Sequence, residues 1–180
     1  MLQYDEPKLI GRLEALSPRA RVAFAAACAE RLRAYFGYPD SPPTPRQVDA
    51  ALEALGRAIR TERPDASLQS AVQACEASLD IDDDAVAAII YAWSALGSDG
   101  ARAAARAARR GYEARDRLVS DSLGVDFNVE GAEHLVLAHP IVQAELKRQV
   151  DDLELLSASS EQASAVLERA RTLAKVRDAV

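Results

Sequence analysis

The sequence predicts an all-α fold, and three observations support that prediction. Apolar residues recur at helical spacing almost throughout the 180 residues, and no stretch keeps the strict alternation of a half-buried strand. Alanine, which costs least to place in a helix, is concentrated at 23–29 and 101–108. Proline follows serine, threonine or histidine where several helical stretches begin. We therefore expect a single compact domain, 1–180, of about seven or eight helices.

The helices follow one another between recognisable start and stop signals. Ser17-Pro18 separates a first short helix from a second one over about 18–36, because serine caps a helix and proline fits its first position. Prolines between 39 and 45 form the clearest loop, and a short turn of helix is expected at 132–138. In chain order, the main apolar positions are Leu9, Leu13 and Leu16; Val22, Ala25, Ala29 and Leu32; Val48, Leu52, Leu55 and Ile59; Leu68, Val72 and Cys75; Val86, Ile89, Ile90, Trp93 and Leu96; Ala104, Ala108 and Val119; Ile141, Val142, Leu146, Val150 and Leu153; and Val166, Leu167 and Ala170. The stripe of the fifth helix, from Val86 to Leu96, is expected to be the most deeply buried.

Composition predicts a cytoplasmic protein that does not enter the membrane. Residues 1–6 show no basic region followed by an apolar run, and no apolar run approaches the roughly 18 residues that span a bilayer. Cys28 and Cys75 lie in apolar helical stretches and are expected to be reduced core residues. The formal net charge of -6 argues against broad electrostatic attraction to nucleic acid or anionic lipid.

No arrangement of residues predicts catalysis, a cofactor or a metal. His134 and His139 are five residues apart, which places them on different sides of a continuous helix. A di-iron bundle needs Glu-x-x-His pairs, and the residue three before His134 is Gly131. The glycine-rich loops that cradle phosphate are absent, and no serine can be matched with a histidine base. We therefore expect no enzymatic activity.

An acidic run before the fifth helix is the first candidate interaction surface: Asp80, Asp82, Asp83 and Asp84. Alternating carboxylates suit calcium, but counting from Asp80 the sixth residue is alanine instead of glycine and the twelfth is tyrosine instead of glutamate. Negative charge at a helix start is stabilised by unpaired N–H groups and the helix dipole, by about 0.3 to 1 kcal/mol per group. The run is interpreted as helix capping, with contact to a basic partner as the alternative.

Arginines along the sixth helix are the second candidate interaction surface: Arg102, Arg106, Arg109 and Arg110, followed by Arg117. At 100° per residue they fall within about a third of the helix circumference. One interpretation is a basic strip for phosphate, nucleic acid or an acidic protein, although aromatic residues that stack on bases are nearly absent. The other is an ordinary solvated face, partly neutralised by Glu113 and Asp116.

Three blocks of sequence, in this order, resemble one family: VAFAAACAERL at 22–32, YAWSAL at 91–96 and HPIVQAEL at 139–146. Together they are similar to the YjaG-like family of bacterial proteins, which is a domain of unknown function. The resemblance spans roughly 9–175, nearly the whole chain. It implies an all-helical cytoplasmic bacterial protein and supplies no reaction, cofactor or catalytic residue.

These observations favour a protein that binds other proteins. Alanine-lined faces left over from the core suit close contact between identical subunits, so we expect a homodimer, and an unidentified protein partner besides. One alternative is an immunity-type protein that neutralises a basic toxin with its negative charge. The other is an enzyme or binder of a small anionic metabolite held by the arginines.

Overall fold

Nine α-helices account for most of the described chain. The computed structural model describes residues 1–37, 43–61, 63, 66–77 and 83–175. The helices are α1 (Glu6–Glu14), α2 (Pro18–Leu32), α3 (Pro45–Thr61), α4 (Ala66–Glu76), α5 (Asp84–Ser94), α6 (Gly100–Leu123), α7 (Ala132–Ala138), α8 (Pro140–Ala158) and α9 (Ala163–Ala174). No strand occurs in these residues, and the predicted all-α fold is confirmed. None of these helices, within the described ranges, combines the length and the apolar character needed to cross a membrane.

The helix boundaries follow the predicted signals closely at α2. Ser17 Oγ accepts a hydrogen bond from the backbone N–H of Ala20 at 3.2 Å, and Pro18 is the first helical residue. The helix ends earlier than the expected position 36, because a 3-10 turn, Arg33–Tyr35, replaces its last turn. The breaks before Pro18 and Pro140, both expected from the sequence, leave α1 and α7 as separate short helices. The described residues hold nine helices, close to the seven or eight expected.

The central helix is α2, which packs against α3, α5, α6, α8 and α9. Twelve of its fifteen residues are buried, and the alanines from 23 to 29 are fully inaccessible to solvent. An alanine side chain is small enough to let neighbouring helices approach closely, which explains how five helices can surround one.

The expectation that α5 holds the most deeply buried stripe is wrong. Val86 and Ile89 are buried, but Ile90 and Trp93 are only partly buried and Leu96 is exposed. The reason is that α5 packs mainly against two helices, α2 and α6, so that one of its sides faces solvent. By contrast, α2 has neighbouring helices on several sides.

The alanine face of α6 is also buried within the chain. Six alanines between 101 and 108 are at most 7% exposed, where α6 crosses α1, α2, α5 and α8. The alanine-lined faces from which a homodimer was expected are therefore occupied by the protein's own helices.

A second, smaller core lies apart from the first, between the carboxyl-terminal half of α6, α7 and the start of α8. It consists of Val119, Val136, Ile141, Val142 and Leu146. Tyr4 and Tyr112 pack against it, and their rings are stacked with centroids 5.3 Å apart. Val125, in the connection that follows α6, and Leu137, near the end of α7, also pack against this core.

Candidate interaction surface

The arginines predicted along α6 lie against carboxylates. Arg109 Nε donates to Glu113 Oε1 at 2.7 Å, one turn further along the helix. Arg110 Nη1 lies 3.5 Å from Asp84 Oδ1, and Arg117 Nη2 lies 2.9 Å from Asp84 Oδ2. These contacts favour the interpretation of a partly neutralised face over that of a free basic strip.

The same arginines border a shallow groove between α5 and α6. Arg106 has its guanidinium 5.9 Å from the centre of the Tyr91 ring, which is a cation–π distance. The groove has a volume of about 350 Å³ and is lined by Tyr91, Arg106, Arg109, Arg110 and Glu113. Arg102 does not line it and instead lies 3.4 Å from Asp99. The structure thus brings three of the five predicted arginines together at this groove.

The acidic run is used within the fold as far as it is described. Asp83 Oδ1 accepts hydrogen bonds from the N–H groups of Ala85 and Val86 at 2.9 and 3.0 Å, so it caps α5 as predicted. Asp84 joins α5 to α6 through its arginine contacts; burial raises the pKa of its carboxyl group, and these arginines only partly oppose that rise. Asp80 and Asp82 lie outside the described residues.

The histidines do not form a site. His139 Nδ1 accepts a hydrogen bond from the N–H of Ile141 at 3.4 Å and so caps α8, while His134 is exposed on α7. Within the described ranges, no three His, Cys, Asp or Glu side chains form a group that could hold a metal ion.

A buried network of charged side chains joins α2, α6, α8 and α9, and sequence reasoning missed it. Arg31 is its centre: Nη1 lies 2.7 Å from Asp152 Oδ2, and Nε lies 3.2 Å from Glu145 Oε2. All three side chains are at most 2% exposed. Arg169, on α9, also contacts Asp152. Two carboxylates of α8 are therefore held by arginines of two other helices.

Further hydrogen bonds complete the network on the side of α6. Arg115 Nη2 donates to the carbonyl oxygen of Arg31 at 3.0 Å and lies 3.8 Å from Glu145 Oε2. Gln149 Nε2 donates to Glu145 Oε1 and to the Ala108 carbonyl, both at 3.0 Å. A β-carbon at Gly111 would lie 3.0 Å from Glu145 Oε1, so glycine leaves room for this carboxylate. Apart from Arg169, whose side chain is 38% exposed, the charged groups of the network are sealed from solvent, and the network joins four helices to one another.

The cysteines are buried free thiols, as predicted. Burial raises the pKa of Cys28 to about 12, and Arg31, whose Nη2 lies 3.5 Å from Cys28 Sγ, only partly offsets this. Burial likewise raises the pKa of Cys75 to about 11. Neither thiol is a reactive thiolate near neutral pH.

We expect the free energy of unfolding to fall steeply below about pH 4, because Glu145 must stay ionised in the folded protein. Burial alone raises the pKa of Glu145, but Arg31, Arg115 and the hydrogen bond from Gln149 outweigh it, and the net pKa is lowered. A lowered folded pKa gives a stabilisation that is complete above the unfolded pKa of about 4.3 and is lost as the pH falls through the folded pKa. Urea unfolding between about pH 7 and pH 2 measures this loss.

Three other carboxyl groups act in the opposite direction and at higher pH. Burial raises the pKa values of Glu30, Asp84 and Asp116, so protonating them on mild acidification favours the folded state.

The control for the role of Glu145 is the Glu145→Gln variant. It should be less stable than the wild type at neutral pH and should lose the steep fall of the free energy of unfolding at low pH. If the free energy of unfolding of Glu145→Gln fell as steeply as that of the wild type, Glu145 would not be the group responsible for the loss of stability in acid.

Exposed apolar side chains lie where α6 ends and α7 begins. Leu123, Phe127, Val129 and Leu135 are between 47% and 61% exposed, although all lie within thirteen residues of sequence. Between them, Val125 packs against the smaller core. This surface was not predicted from the sequence.

The amino-terminal residues are also exposed but belong to a different part of the surface. The N–H of Leu2 donates to Gln143 Oε1 at 2.8 Å, and Met1 and Leu2 line a hollow with residues of α1 and with Leu146, Val150 and Leu153 of α8. Four of the eight large apolar side chains that are exposed in the described part of the chain occur within 123–135. We call this group of four the apolar end: Leu123, Phe127, Val129 and Leu135.

The connection between α6 and α7 is ordered by its own backbone. Gly124 and Gly131 adopt the left-handed region, with φ of 59° and 85°, at its two ends. Asp126 Oδ1 accepts hydrogen bonds from the N–H and the side-chain amide of Asn128 at 2.9 and 2.8 Å. The N–H of Val129 donates to the Asp126 carbonyl at 3.0 Å. Phe127 and Val129 are therefore presented on a defined loop.

Negative charge borders the apolar end. The sequence from 118 to 146 contains neither lysine nor arginine. Its exposed carboxylates, here called the acidic rim, are Asp121, Asp126, Glu130 and Glu133. Apolar residues in a connection with no cation nearby are the sequence signal that could have located this surface.

Glu133 extends the negative field towards α6. Burial raises the pKa of Tyr112 to about 12, and the carboxylates of Asp116, Glu113 and Glu133 add to that rise. Burial also raises the pKa of Asp116, with contributions from the same two glutamates. Glu133, at the start of α7, therefore lies close enough to Tyr112 and Asp116 of α6 to act on their ionisation.

Comparison with known proteins shows a shared fold. No protein-family model matches the chain, and no curated protein matches it. Among solved structures, the chain is similar to a DUF416 family protein from Shewanella baltica OS155, with a TM-score of 0.73 over 92% of each chain and 19% sequence identity. At that identity the likeness concerns the fold alone. It supports a relationship in architecture to an uncharacterised domain-of-unknown-function family.

Proposed function

We propose that this chain is a cytoplasmic, non-enzymatic protein that binds another protein through its apolar end. The observation that carries the proposal is the concentration of four of the eight exposed large apolar side chains of the described residues within 123–135. Exposed apolar side chains bordered by polar ones are typical of protein interfaces. Scattered single apolar residues need no such explanation, but these are grouped.

The order of the connection supports the same proposal. Phe127 and Val129 lie on a loop that is already hydrogen-bonded, so little conformational entropy would be lost when a partner covers them. Aromatic side chains are enriched at the centres of interfaces, and Phe127 is 53% exposed. The loop thus offers a rigid apolar anchor.

Affinity capture with matched variants tests the proposal. The wild-type chain, Phe127→Ser and Leu155→Ser would serve as baits in lysate of the host bacterium, with crosslinking and quantitative mass spectrometry. Leu155 is exposed on α8, so its substitution is a control for the loss of one exposed apolar side chain. We expect a protein that crosslinks to the 123–135 region and is retained by Leu155→Ser but lost with Phe127→Ser. Equal capture by all three baits would rule the proposal out.

A homodimer stays a prediction. The alanines that suggested it are buried against the chain's own helices, so a dimer must use another face. The YjaG-like relationship is likewise a proposal, supported by the three sequence blocks and by the shared architecture.

A small anionic ligand is a second candidate, favoured by the groove beside Tyr91. Arg106 borders this groove with its guanidinium 5.9 Å from the centre of the Tyr91 ring, whereas Glu113 already engages Arg109. This carboxylate reduces the positive charge available to an anion, which is why we place the candidate second. Loss of phosphate binding in Arg106→Gln, measured by calorimetry, would support it.

A further inference from the structure

We infer that the partner of the apolar end is a basic protein surface, on which lysine or arginine side chains flank apolar ones. The inference rests on the proposed function, because it names the class of partner for that same surface. It follows from the carboxylates of the acidic rim, which border the apolar end, and from the ion pairs recorded among the described residues, none of which involves them.

The acidic rim is not neutralised by the protein itself. On α6, the arginines Arg109, Arg110 and Arg117 each face a carboxylate within 4 Å. By contrast, no ion pair within the described residues involves Asp121, Asp126, Glu130 or Glu133. The negative charge of the rim therefore remains available to an external cation.

Apolar and charged groups are interleaved on this surface. Asp126, Phe127 and Val129 follow one another on the loop, and Glu133 and Leu135 lie on the first turns of α7. A partner that buries Phe127 must bring its own neighbouring side chains close to these carboxylates. Lysine or arginine at those positions gains from the negative field, whereas aspartate or glutamate is repelled.

The charge pattern disfavours other occupants. In a symmetric dimer the same patch lies on both subunits, so a second copy would place one acidic rim against another. Nucleic acid and anionic lipid carry the same sign of charge as the rim. A basic protein, such as a toxin whose active site is basic, fits both the apolar and the charged components.

A set of synthetic peptides provides the probe. Each peptide would be an amphipathic helix with leucine on one face and lysine, glutamine or glutamate on the other, labelled for fluorescence anisotropy. The protein variants are Phe127→Ser with Leu135→Ser, Glu130→Lys with Glu133→Lys, and the control Glu154→Lys with Glu161→Lys. The two lysine variants change the net charge equally, and the control sites are exposed towards the far end of α8.

We expect the lysine peptide to bind most tightly and more weakly as salt is raised. The Glu130→Lys, Glu133→Lys variant should bind it about tenfold more weakly, while the charge-matched control should change its affinity much less. Light scattering of the protein alone should give the same mass for the wild-type chain and for Phe127→Ser with Leu135→Ser, because any dimer is expected to use another face.

The other outcomes separate this inference from the proposed function. If lysine and glutamine peptides bind equally and both are lost with Phe127→Ser, Leu135→Ser, the apolar docking surface stands and the basic partner is wrong. Equal weakening by the charge-matched control would also overturn the basic partner, because net charge alone would then explain the binding. Two outcomes would overturn both the inference and the proposed function: peptide binding that is unchanged by Phe127→Ser with Leu135→Ser, and the absence of binding by every peptide. A dimer held together through the apolar end would overturn the inference alone.

Discussion

Replacing Arg31 by methionine is expected to lower the free energy of unfolding by about 3–5 kcal/mol. Methionine keeps most of the length of the side chain but removes the charge that faces Glu145 and Asp152. Both carboxylates are about 1% exposed, so water cannot replace the lost guanidinium. Asp152 would keep Arg169 and Glu145 would keep Arg115 at 3.8 Å, but both buried carboxylates would lose the cation closest to the centre of the network, which is why this change should be severe. Urea unfolding at neutral pH gives the value.

The control is Arg33→Met, two residues along the chain. Arg33 pairs with Asp49 at 2.8 Å, but the two side chains are 48% and 39% exposed. Exposed pairs of this kind are worth about 0–1 kcal/mol because water and salt screen them. Similar losses for Arg31→Met and Arg33→Met would show that the network is not sealed from solvent and would contradict the role assigned to it.

Buried arginines also fill volume that the small alanine side chains of the core leave empty. The core of α2 consists largely of alanines, which bring helices close but fill little volume. Among fully buried side chains Arg115 is the largest, and its guanidinium lies 4.5 Å from the centre of the Tyr35 ring. Its aliphatic part can pack like a hydrophobic side chain while its head is held by hydrogen bonds. The network therefore supplies bulk as well as charge pairing.

The helical architecture could be predicted from sequence because its determinants are local. Ser17-Pro18 marks the start of α2, Asp83 caps α5, and alanine identifies the faces that pack closely. Each of these signals acts within a few residues of its own position. The expectation for α5 was wrong because burial depends on which helices surround a stripe, and periodicity does not contain that information.

The buried network could not be predicted by the same reasoning. Glu145, Gln149 and Asp152 interrupt the expected apolar face of α8, and hydropathy assigns such residues to solvent. Their burial depends on Arg31, which is 114 positions away from Glu145 in sequence. A buried polar residue whose partner is far away in the sequence cannot be distinguished, from the sequence alone, from a polar residue exposed to solvent.

The candidate surface was missed for a related reason. The two predicted surfaces were chosen for their charge, and the structure ties Asp83, Asp84, Arg109 and Arg110 to partners within the fold. At 123–135 the informative feature is the exposure of apolar side chains, which sequence alone does not determine. A charged residue in a sequence can form an ion pair, but only the structure shows whether its partner lies within the same chain.

Truncating Phe24 to alanine is expected to cost about 3–5 kcal/mol, whereas truncating Phe127 should change stability by no more than about 0.5 kcal/mol. Phe24 is fully buried in α2, and the alanines next to it in the sequence carry only a methyl group, which cannot extend into a cavity. Phe127 is 53% exposed and leaves no cavity when shortened. Thermal and urea unfolding of the two variants measure the difference.

The same pair of variants separates folding from binding. If the apolar end is the docking surface, Phe127→Ala should keep the wild-type unfolding transition and lose the partner. Phe24→Ala should keep its affinity for the partner as long as it is folded, because the smaller core that supports the 123–135 region does not include Phe24. A Phe127→Ala protein that unfolds as readily as Phe24→Ala would mean that this aromatic ring belongs to the core, and the exposed surface would then have no anchor for a partner.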